Sequence, residues 1–137
     1  MEQATLIVFQ QLSLDEENNR CFDCASLQPQ WASVNNSIFL CLNCAGLHRG
    51  MGVQTSFVRS VNLDSWTEKQ LSLMTLGGNK KFREFFKNYD LNEESPQIRI
   101  ATKAADFYRR QLNAKCSGNT FSEVPPTYDR GREKAQI

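Results

Sequence analysis

Four cysteines in two Cys-x-x-Cys pairs constrain the fold of this chain more than any other feature of its sequence. The first pair is Cys21 and Cys24, the second is Cys41 and Cys44, and sixteen residues separate them. Zn²⁺ takes four tetrahedral ligands and binds thiolates well, and paired cysteines at this spacing are typical of zinc sites. Four thiolates close the coordination shell, so no position remains for a metal-activated water. The sequence therefore predicts a structural zinc that holds a shape.

Two disulfides in a secreted domain are the alternative interpretation of the same cysteines, and they need an oxidising compartment. The chain begins Met1-Glu2-Gln3-Ala4, which lacks the basic start and the apolar run of a secretory signal. The fifth cysteine, Cys116, lies far from the two pairs and is expected to be a free thiol. These features favour a cytoplasmic protein with a metal site.

Length and charge exclude some classes of function. The 137 residues suit one domain with a buried core, and no window has the ~18 apolar residues that suggest a membrane span. The net charge of +1 favours neither nucleic acid nor a strongly acidic partner. Between residues 18 and 60, Arg20, Arg49 and Arg59 stand against Asp23, and a Zn(Cys)₄ site adds about two negative charges. A GATA-like nucleic-acid finger, which also has paired knuckles, is therefore the weaker alternative.

Hydrophobic patterning predicts an α+β fold with a small three-stranded antiparallel sheet and about five helices. Asn35 and Asn36 fit a turn between the first two strands, because asparagine tolerates positive φ. The predicted strands are 29–34, 38–40 and 57–61. The predicted helices are 4–13, Cys41 to Gly50, Trp66 to Gly77, one starting near Asn79, and one near 98–112.

Local signals mark the helix ends and the inward faces. Thr67 and Gln70 form a predicted capping box, and Asn79 is a candidate cap for the next helix. Phe82, Phe85 and Phe86 are expected in the core, as are the apolar residues of the last helix, Ile98, Ala101, Ala105, Tyr108 and Leu112. The domain is expected over 5–113, and 114–137, with Pro125-Pro126, is expected to be a flexible tail or a linker to further sequence.

Arg49 is the candidate catalytic residue. It lies five positions after Cys44 at the end of a short predicted helix, so its backbone lies within ~8 Å of the last zinc ligand. A guanidinium is always charged and presents a planar fork that matches phosphate oxygens. Rigid placement at a surface is what an arginine finger requires, but a solvated surface arginine is the commoner outcome. Sequence alone leaves both interpretations open.

Other polar and aromatic residues have ordinary explanations at this stage. His48 is the only histidine, and we expect it to be packed or solvent-facing because four thiolates already complete the zinc shell. Trp31 fits either core packing or a surface role. Arg59 and Asp64 are candidate contact residues or a local ion pair.

The motifs together resemble the GTPase-activating domain for ADP-ribosylation factors, the ArfGAP domain. The resemblance is carried by Cys21-x₂-Cys24-x₁₆-Cys41-x₂-Cys44, by Ala-Gly-Leu-His48-Arg49-Gly-Met-Gly52, and by the segments 29–33, 57–66 and 77–79. It covers roughly residues 5–112 and lacks a departure at any motif position.

The resemblance implies a Cys₄ zinc finger with a three-stranded sheet surrounded by helices. It implies an accessory protein without an independent active site, a catalytic activator of GTP hydrolysis by an Arf-family small GTPase that itself holds GTP and Mg²⁺. Arg49 is then the arginine finger supplied in trans, and Trp31, Arg59 and Asp64 shape the contact surface or support Arg49. Coat proteins are further candidate partners, a monomer without nucleic acid is expected, and recruitment to Golgi or vesicle membranes goes through the partner or other regions. A non-catalytic adaptor that uses the same surface stays an alternative.

Overall fold

Three short antiparallel strands form the only sheet within residues 2–136, the part of the chain that this computed structural model describes. They are β1 (Trp31–Ser33), β2 (Ile38–Leu40) and β3 (Val58–Ser60), in the order β2-β1-β3. Trp31 at the start of β1 is in register with Leu40 and Ser60 on either side. The predicted hairpin and its third strand are confirmed.

The β1–β2 turn differs from the prediction. A 3₁₀ turn over Val34–Asn36 leads into Ser37, and Ser37, not an asparagine, adopts the left-handed conformation with φ 53°. Asn36 instead contributes its buried side chain, which donates hydrogen bonds to Ser33 Oγ and to the Thr55 carbonyl. The asparagine serves side-chain hydrogen bonding, which a turn propensity does not reveal.

Seven α-helices lie within the described residues, two more than the approximate number predicted. Thr67 caps α3 through the capping box with Gln70, as predicted. The helices are α1 (Gln3–Leu12), α2 (Leu42–Arg49), α3 (Glu68–Leu76), α4 (Asn79–Lys87), α5 (Pro96–Arg99), α6 (Lys103–Cys116) and α7 (Tyr128–Gly131).

One predicted helix is two helices in the structure. The first, α5, ends at Arg99, and Thr102 caps α6, because its hydroxyl accepts a hydrogen bond from the Ala105 amide at 3.2 Å. This break changes which residues face inward. Ile98, predicted to be buried, is 55% exposed, whereas Ala105 and Tyr108 on α6 are buried as expected.

Stacked aromatic rings form the centre of the helical half. Phe82 on α4 packs against Phe86 at 4.2 Å and Tyr108 on α6 at 4.3 Å between ring centroids. Phe22, from the first cysteine pair, stacks on Phe82 at 5.5 Å. Phe85 is partly buried beside Tyr108. The core prediction for the three phenylalanines is confirmed, and Phe22 joins the metal site to that core.

The prediction that Asn79 caps α4 is wrong. Gly78 holds the cap position, and Asn79 lies inside the helix with its side chain buried. Its Oδ1 accepts a hydrogen bond from the Phe39 amide, and its Nδ2 donates to the carbonyls of Glu17 and Arg20. Asn79 therefore ties the segment before the first cysteine pair to β2.

The segment after residue 113 contacts the domain. Tyr89 donates a hydrogen bond from its hydroxyl to the Pro126 carbonyl at 2.7 Å, and the Lys103 amide donates to the Glu133 carbonyl at 2.8 Å. α7 packs against α6. The sequence analysis, which predicted a flexible tail or linker here, did not foresee these contacts.

None of the helices within residues 2–136 is both long enough and apolar enough to span a bilayer.

Candidate functional site

The four paired cysteines converge on one point. The sulfur atoms of Cys21, Cys24, Cys41 and Cys44 all lie within 4.8 Å of one another, and Cys24 and Cys41 are 3.6 Å apart. A tetrahedral Zn²⁺ with Zn–S bonds of ~2.3 Å requires S–S separations of about 3.8 Å. No disulfide joins any of the cysteines in the described chain, so the disulfide alternative is set aside.

The protonation of the thiols depends on burial, on hydrogen bonds and on a bound cation. Burial raises the pKa of the Cys21 and Cys44 thiols, so without a cation both groups stay protonated inside the fold. Hydrogen bonds from the hydroxyl and amide of Ser26 lower the pKa of Cys24 to about 7. A bound Zn²⁺ would deprotonate the buried pair by its own charge. The cluster is therefore consistent with a structural zinc.

The second cysteine pair begins the helix that presents Arg49. Cys41 caps α2, because its Sγ accepts a hydrogen bond from the Cys44 amide at 3.5 Å, and Cys44 lies in the first turn. Eight residues then carry the chain to Arg49 at the other end, about 12 Å away at 1.5 Å per residue. The metal cluster and the arginine thus occupy opposite ends of one rigid two-turn element.

Arg49 is exposed and rests on Trp31. Its guanidinium carbon lies 4.9 Å from the centre of the Trp31 ring, and within the described residues its side chain takes part in no ion pair. A cation–π contact at an exposed site contributes about 0.5–1 kcal/mol. The contact orients the guanidinium without holding it strongly. Trp31 is half-buried, which combines the two roles considered for it.

His48, the residue before Arg49, is fully buried and bonded at both ring nitrogens. Nε2 lies 2.7 Å from Asp23 Oδ2, and Nδ1 lies 2.7 Å from Ser56 Oγ. The other oxygen of Asp23 accepts a hydrogen bond from Arg99 at 2.7 Å. The expectation of a packed histidine is confirmed. Sequence reasoning missed the link to Asp23, although a carboxylate inside a cysteine pair and a lone histidine beside the candidate arginine were visible.

Asp23 is an ionised carboxylate in a buried position. Burial opposes its ionisation, but the hydrogen bonds and charges of His48 and Arg99 outweigh that cost and lower its pKa below the usual range. An ionised carboxylate only accepts hydrogen bonds, so His48 Nε2 is the donor to it. Breaking such a buried pair by removing one partner is costly, because it leaves an uncompensated charge.

Arg59 on β3 and Asp64 just after this strand organise the loop that follows it. Asp64 accepts a hydrogen bond from the Ser60 amide at 2.7 Å, while the Arg59 guanidinium donates to the Ser65 carbonyl. The Trp66 indole donates to the Ser60 carbonyl in the same loop. The structure does not pair Arg59 with Asp64, so the local ion pair considered for them is wrong.

The helix that carries Arg49 also exposes two leucines to solvent. Leu42 is 65% exposed and Leu47 is 49% exposed, and Gly46 lies between them without a side chain. Burial of a leucine side chain is favourable, so these leucines suit contact with a protein better than contact with the phosphates of a nucleic acid. The sequence predicted a helix from Cys41 to Gly50 but did not show that these two leucines would be exposed.

Fold and site together define a small α+β domain assembled on a Cys₄ metal-site cluster that presents one arginine beside an apolar helix face. The family described as "Putative GTPase activating protein for Arf" matches residues 7–121. The chain belongs to this ArfGap family, so the nucleic-acid alternative is set aside. The match extends past residue 113, where the sequence analysis placed the domain end.

Curated proteins of the same description are similar over most of this chain. ADP-ribosylation factor GTPase-activating protein GCS1 of Saccharomyces cerevisiae is 38% identical over 107 residues, which are 77% of this chain and 30% of the relative. ADP-ribosylation factor GTPase-activating protein 3 of Bos taurus is 38% identical over 120 residues, which are 87% of this chain and 23% of the relative. This chain therefore spans less than a third of the length of these relatives.

Solved structures share the fold. A "putative GTPase activating protein for ADP ribosylation factor" from Cryptosporidium parvum superposes with a TM-score of 0.77 at 37% identity, covering 83% of this chain and 92% of that one. The ArfGap domain of HIV-1 Rev binding protein superposes with a TM-score of 0.56 at 19% identity, which supports the fold alone.

Proposed function

We propose that this chain stimulates GTP hydrolysis by an Arf-family small GTPase, and that it does so by inserting Arg49 into the nucleotide site of that partner. The exposed guanidinium at the end of a helix rooted in the cysteine cluster is the observation that carries the proposal. The GTPase supplies GTP, Mg²⁺ and the residue that positions water. This chain supplies a positive charge in a fixed place.

Transition-state electrostatics explain why one arginine is enough. As the γ-phosphoryl group leaves, negative charge develops on the phosphate oxygens, and a positioned cation stabilises it more in the transition state than in the ground state. Arginine fingers contribute ~10³–10⁵ in rate, which is about 4–7 kcal/mol. A surface salt bridge of about 0–1 kcal/mol could not produce that effect.

The surroundings of Arg49 support docking of a protein. Leu42 and Leu47 give α2 an apolar contact face, and Trp31 holds the guanidinium near it. Arg59 and Asp64 serve the proposal indirectly, because they fix the loop that follows β3. We assign Cys21, Cys24, Cys41 and Cys44 as ligands of a structural Zn²⁺ that fixes the root of α2. Association with coat proteins and recruitment to Golgi or vesicle membranes stay predictions.

A GTP-hydrolysis assay tests the proposal directly. An Arf-type GTPase lacking its myristoyl group is loaded with GTP, and phosphate release is followed with wild-type chain and with Arg49→Ala. We expect wild type to accelerate hydrolysis by about 10³-fold or more, and Arg49→Ala to leave it near the intrinsic rate.

The matched control is Arg130→Ala, which removes an exposed arginine on α7, and it should retain wild-type stimulation. Equal activity of Arg49→Ala and wild type would contradict the finger. Binding of the GTPase by wild type without any acceleration would instead favour the non-catalytic adaptor.

A further inference from the structure

The C-terminal turn of α2 is anchored by His48, and we infer that His48 and Asp23 are positioning residues that hold Arg49 in the geometry needed for hydrolysis. This inference rests on the proposed function. It assigns to the buried histidine a task beyond filling the core, because His48 is adjacent to Arg49 and makes its contacts on the buried side of the helix, while Arg49 is exposed.

A two-turn helix needs an anchor at both ends. Isolated helices of about 12–15 residues are marginal in water, and α2 has eight. The cysteine cluster holds only its first turn, through Cys41 and Cys44. His48 lies in the last turn and is 1% exposed. Without its hydrogen bonds, the turn that carries Arg49 would be free to fray.

The first anchor runs from His48 toward the other cysteine pair. Asp23 lies between Cys21 and Cys24, and its two oxygens bind His48 and Arg99 separately. Arg99 ends α5 and also donates to the Asn92 carbonyl at 2.9 Å. Two hydrogen-bond donors thus fix the carboxylate, and the carboxylate fixes the imidazole.

The second anchor runs from His48 toward the sheet. Ser56 returns to His48 because Gly52 adopts φ 91°, a left-handed turn, and the Gly52 carbonyl accepts a hydrogen bond from the Ser56 amide at 2.9 Å. Ser56 Oγ lies 2.6 Å from Ser33 Oγ on β1, and Ser33 accepts from Asn36. Asn36 in turn accepts from Arg109 on α6.

A continuous buried chain of hydrogen bonds therefore crosses the domain and passes through His48. Catalytic groups displaced by about 1 Å can lose ~10²-fold in rate, so a support of this kind matters even though it never contacts the nucleotide. Changing a residue that orients a metal ligand typically costs 10–100-fold in metal affinity or activity, and we expect an effect of the same size for residues that orient Arg49.

A double-mutant cycle separates positioning from mere packing. Single-turnover GTP hydrolysis is measured against chain concentration for wild type, His48→Gln, Arg49→Ala and the double variant. We expect His48→Gln to lower kcat by about 10–100-fold with less than about 3-fold change in KM. In the Arg49→Ala background the same change should have no further effect on kcat, because its influence passes through Arg49.

Ser37→Ala is the matched control. Ser37 is fully buried, and its hydroxyl bonds the Gly78 amide and the Met74 carbonyl, outside the chain of hydrogen bonds that passes through His48. It should lower the melting temperature and leave kcat unchanged. Ser56→Ala removes the Nδ1 partner of His48 and its link to Ser33 but keeps Asp23 at Nε2, so it should lower kcat less than His48→Gln and keep the zinc content. If His48→Gln fails to fold, Ser56→Ala and Asp23→Asn decide by the same criteria.

Amide hydrogen exchange gives a readout that does not depend on activity. The Gly50 and Met51 amides donate to the carbonyls of Leu47 and His48, and we expect their exchange to accelerate at least ~10-fold in His48→Gln while α6 is unchanged. Unchanged exchange, an unchanged kcat in a folded variant, or an equal loss in both backgrounds of the cycle would overturn the inference. A wild-type chain that fails to stimulate hydrolysis would instead refute the proposed function, and exchange would still test the anchor.

Discussion

The two halves of this domain are held together by different kinds of interaction. Around the cysteine cluster, strands of three residues and a two-turn helix depend on directional bonds, from sulfur to the proposed zinc and along the buried polar chain through His48. In the helical half, Phe82, Phe86 and Tyr108 stack in a compact apolar core. Directional bonds place the arginine accurately, and apolar packing supplies the bulk of the stability.

Metal removal should produce the largest difference in behaviour between the half around the cysteine cluster and the helical half. Structural zinc contributes apparent binding free energies of about 10–16 kcal/mol in small finger peptides, so chelation should disorder both cysteine pairs and α2. We expect loss of GTPase stimulation and fast amide exchange over residues 21–49, with slower exchange retained in α4 and α6. Hydrogen exchange and zinc stoichiometry measure this. Retained protection over 21–49 without metal would show that the cluster is dispensable.

Deleting an aromatic ring of the helical half should lower the stability strongly but leave zinc binding and kcat nearly unchanged. Phe82→Ala removes a fully buried ring and should lower the free energy of unfolding by about 3–5 kcal/mol, as large-to-small changes in cores do. Folded protein should keep four-thiol zinc binding and near-normal kcat. Denaturant unfolding and the hydrolysis assay check both parts. Phe121→Ala, at a half-buried ring, is the control and should cost less. A severe loss of kcat in folded Phe82→Ala would contradict the separate roles that we assign to the two halves.

The exposed face of α2 should contribute binding, not stability. Leu47→Ser removes an exposed leucine from the helix that carries Arg49, so we expect an increase in KM of about 10-fold, equal to about 1.4 kcal/mol, with unchanged melting temperature. Leu14→Ser is the control, because Leu14 is exposed outside α2 and should leave KM unchanged. An unaffected KM in Leu47→Ser would remove α2 from the docking surface.

The stacking contact on Arg49 should have the smallest effect. Trp31→Ala removes a cation–π contact of about 0.5–1 kcal/mol, so kcat should fall by no more than about 5-fold. Trp31→Phe keeps a ring face and should lose less. A loss as large as that of Arg49→Ala would instead make Trp31 an essential support.

The sequence predicted the parts of this molecule that depend on local spacing. The cysteine pairs, the three strands, the capping box of Thr67 and Gln70 and the surface position of Arg49 all follow from short-range patterns. What it did not predict depends on contacts between residues far apart. Asp23 meets His48 and Arg99 across 25 and 76 positions, and Asn79 binds the carbonyl of Arg20 across 59.

The prediction of helix boundaries near 98–112 was wrong for a related reason. The pattern near 98–112 has apolar residues at helical spacing, but Thr102 caps a new helix there and the register shifts. Ile98 is exposed as a result. A threonine inside a segment with helical periodicity is compatible with a position within a helix and with a cap, and only the tertiary fold decides between them.

The single-turnover rate of GTP hydrolysis with saturating Arg49→Lys tests the central claim most directly. Lysine keeps the charge at the end of α2 but lacks the planar fork of the guanidinium. We predict that the rate falls to within about 10-fold of the intrinsic rate of the GTPase, while zinc content and melting temperature match wild type. A lysine variant that keeps most of the stimulation would contradict the arginine finger.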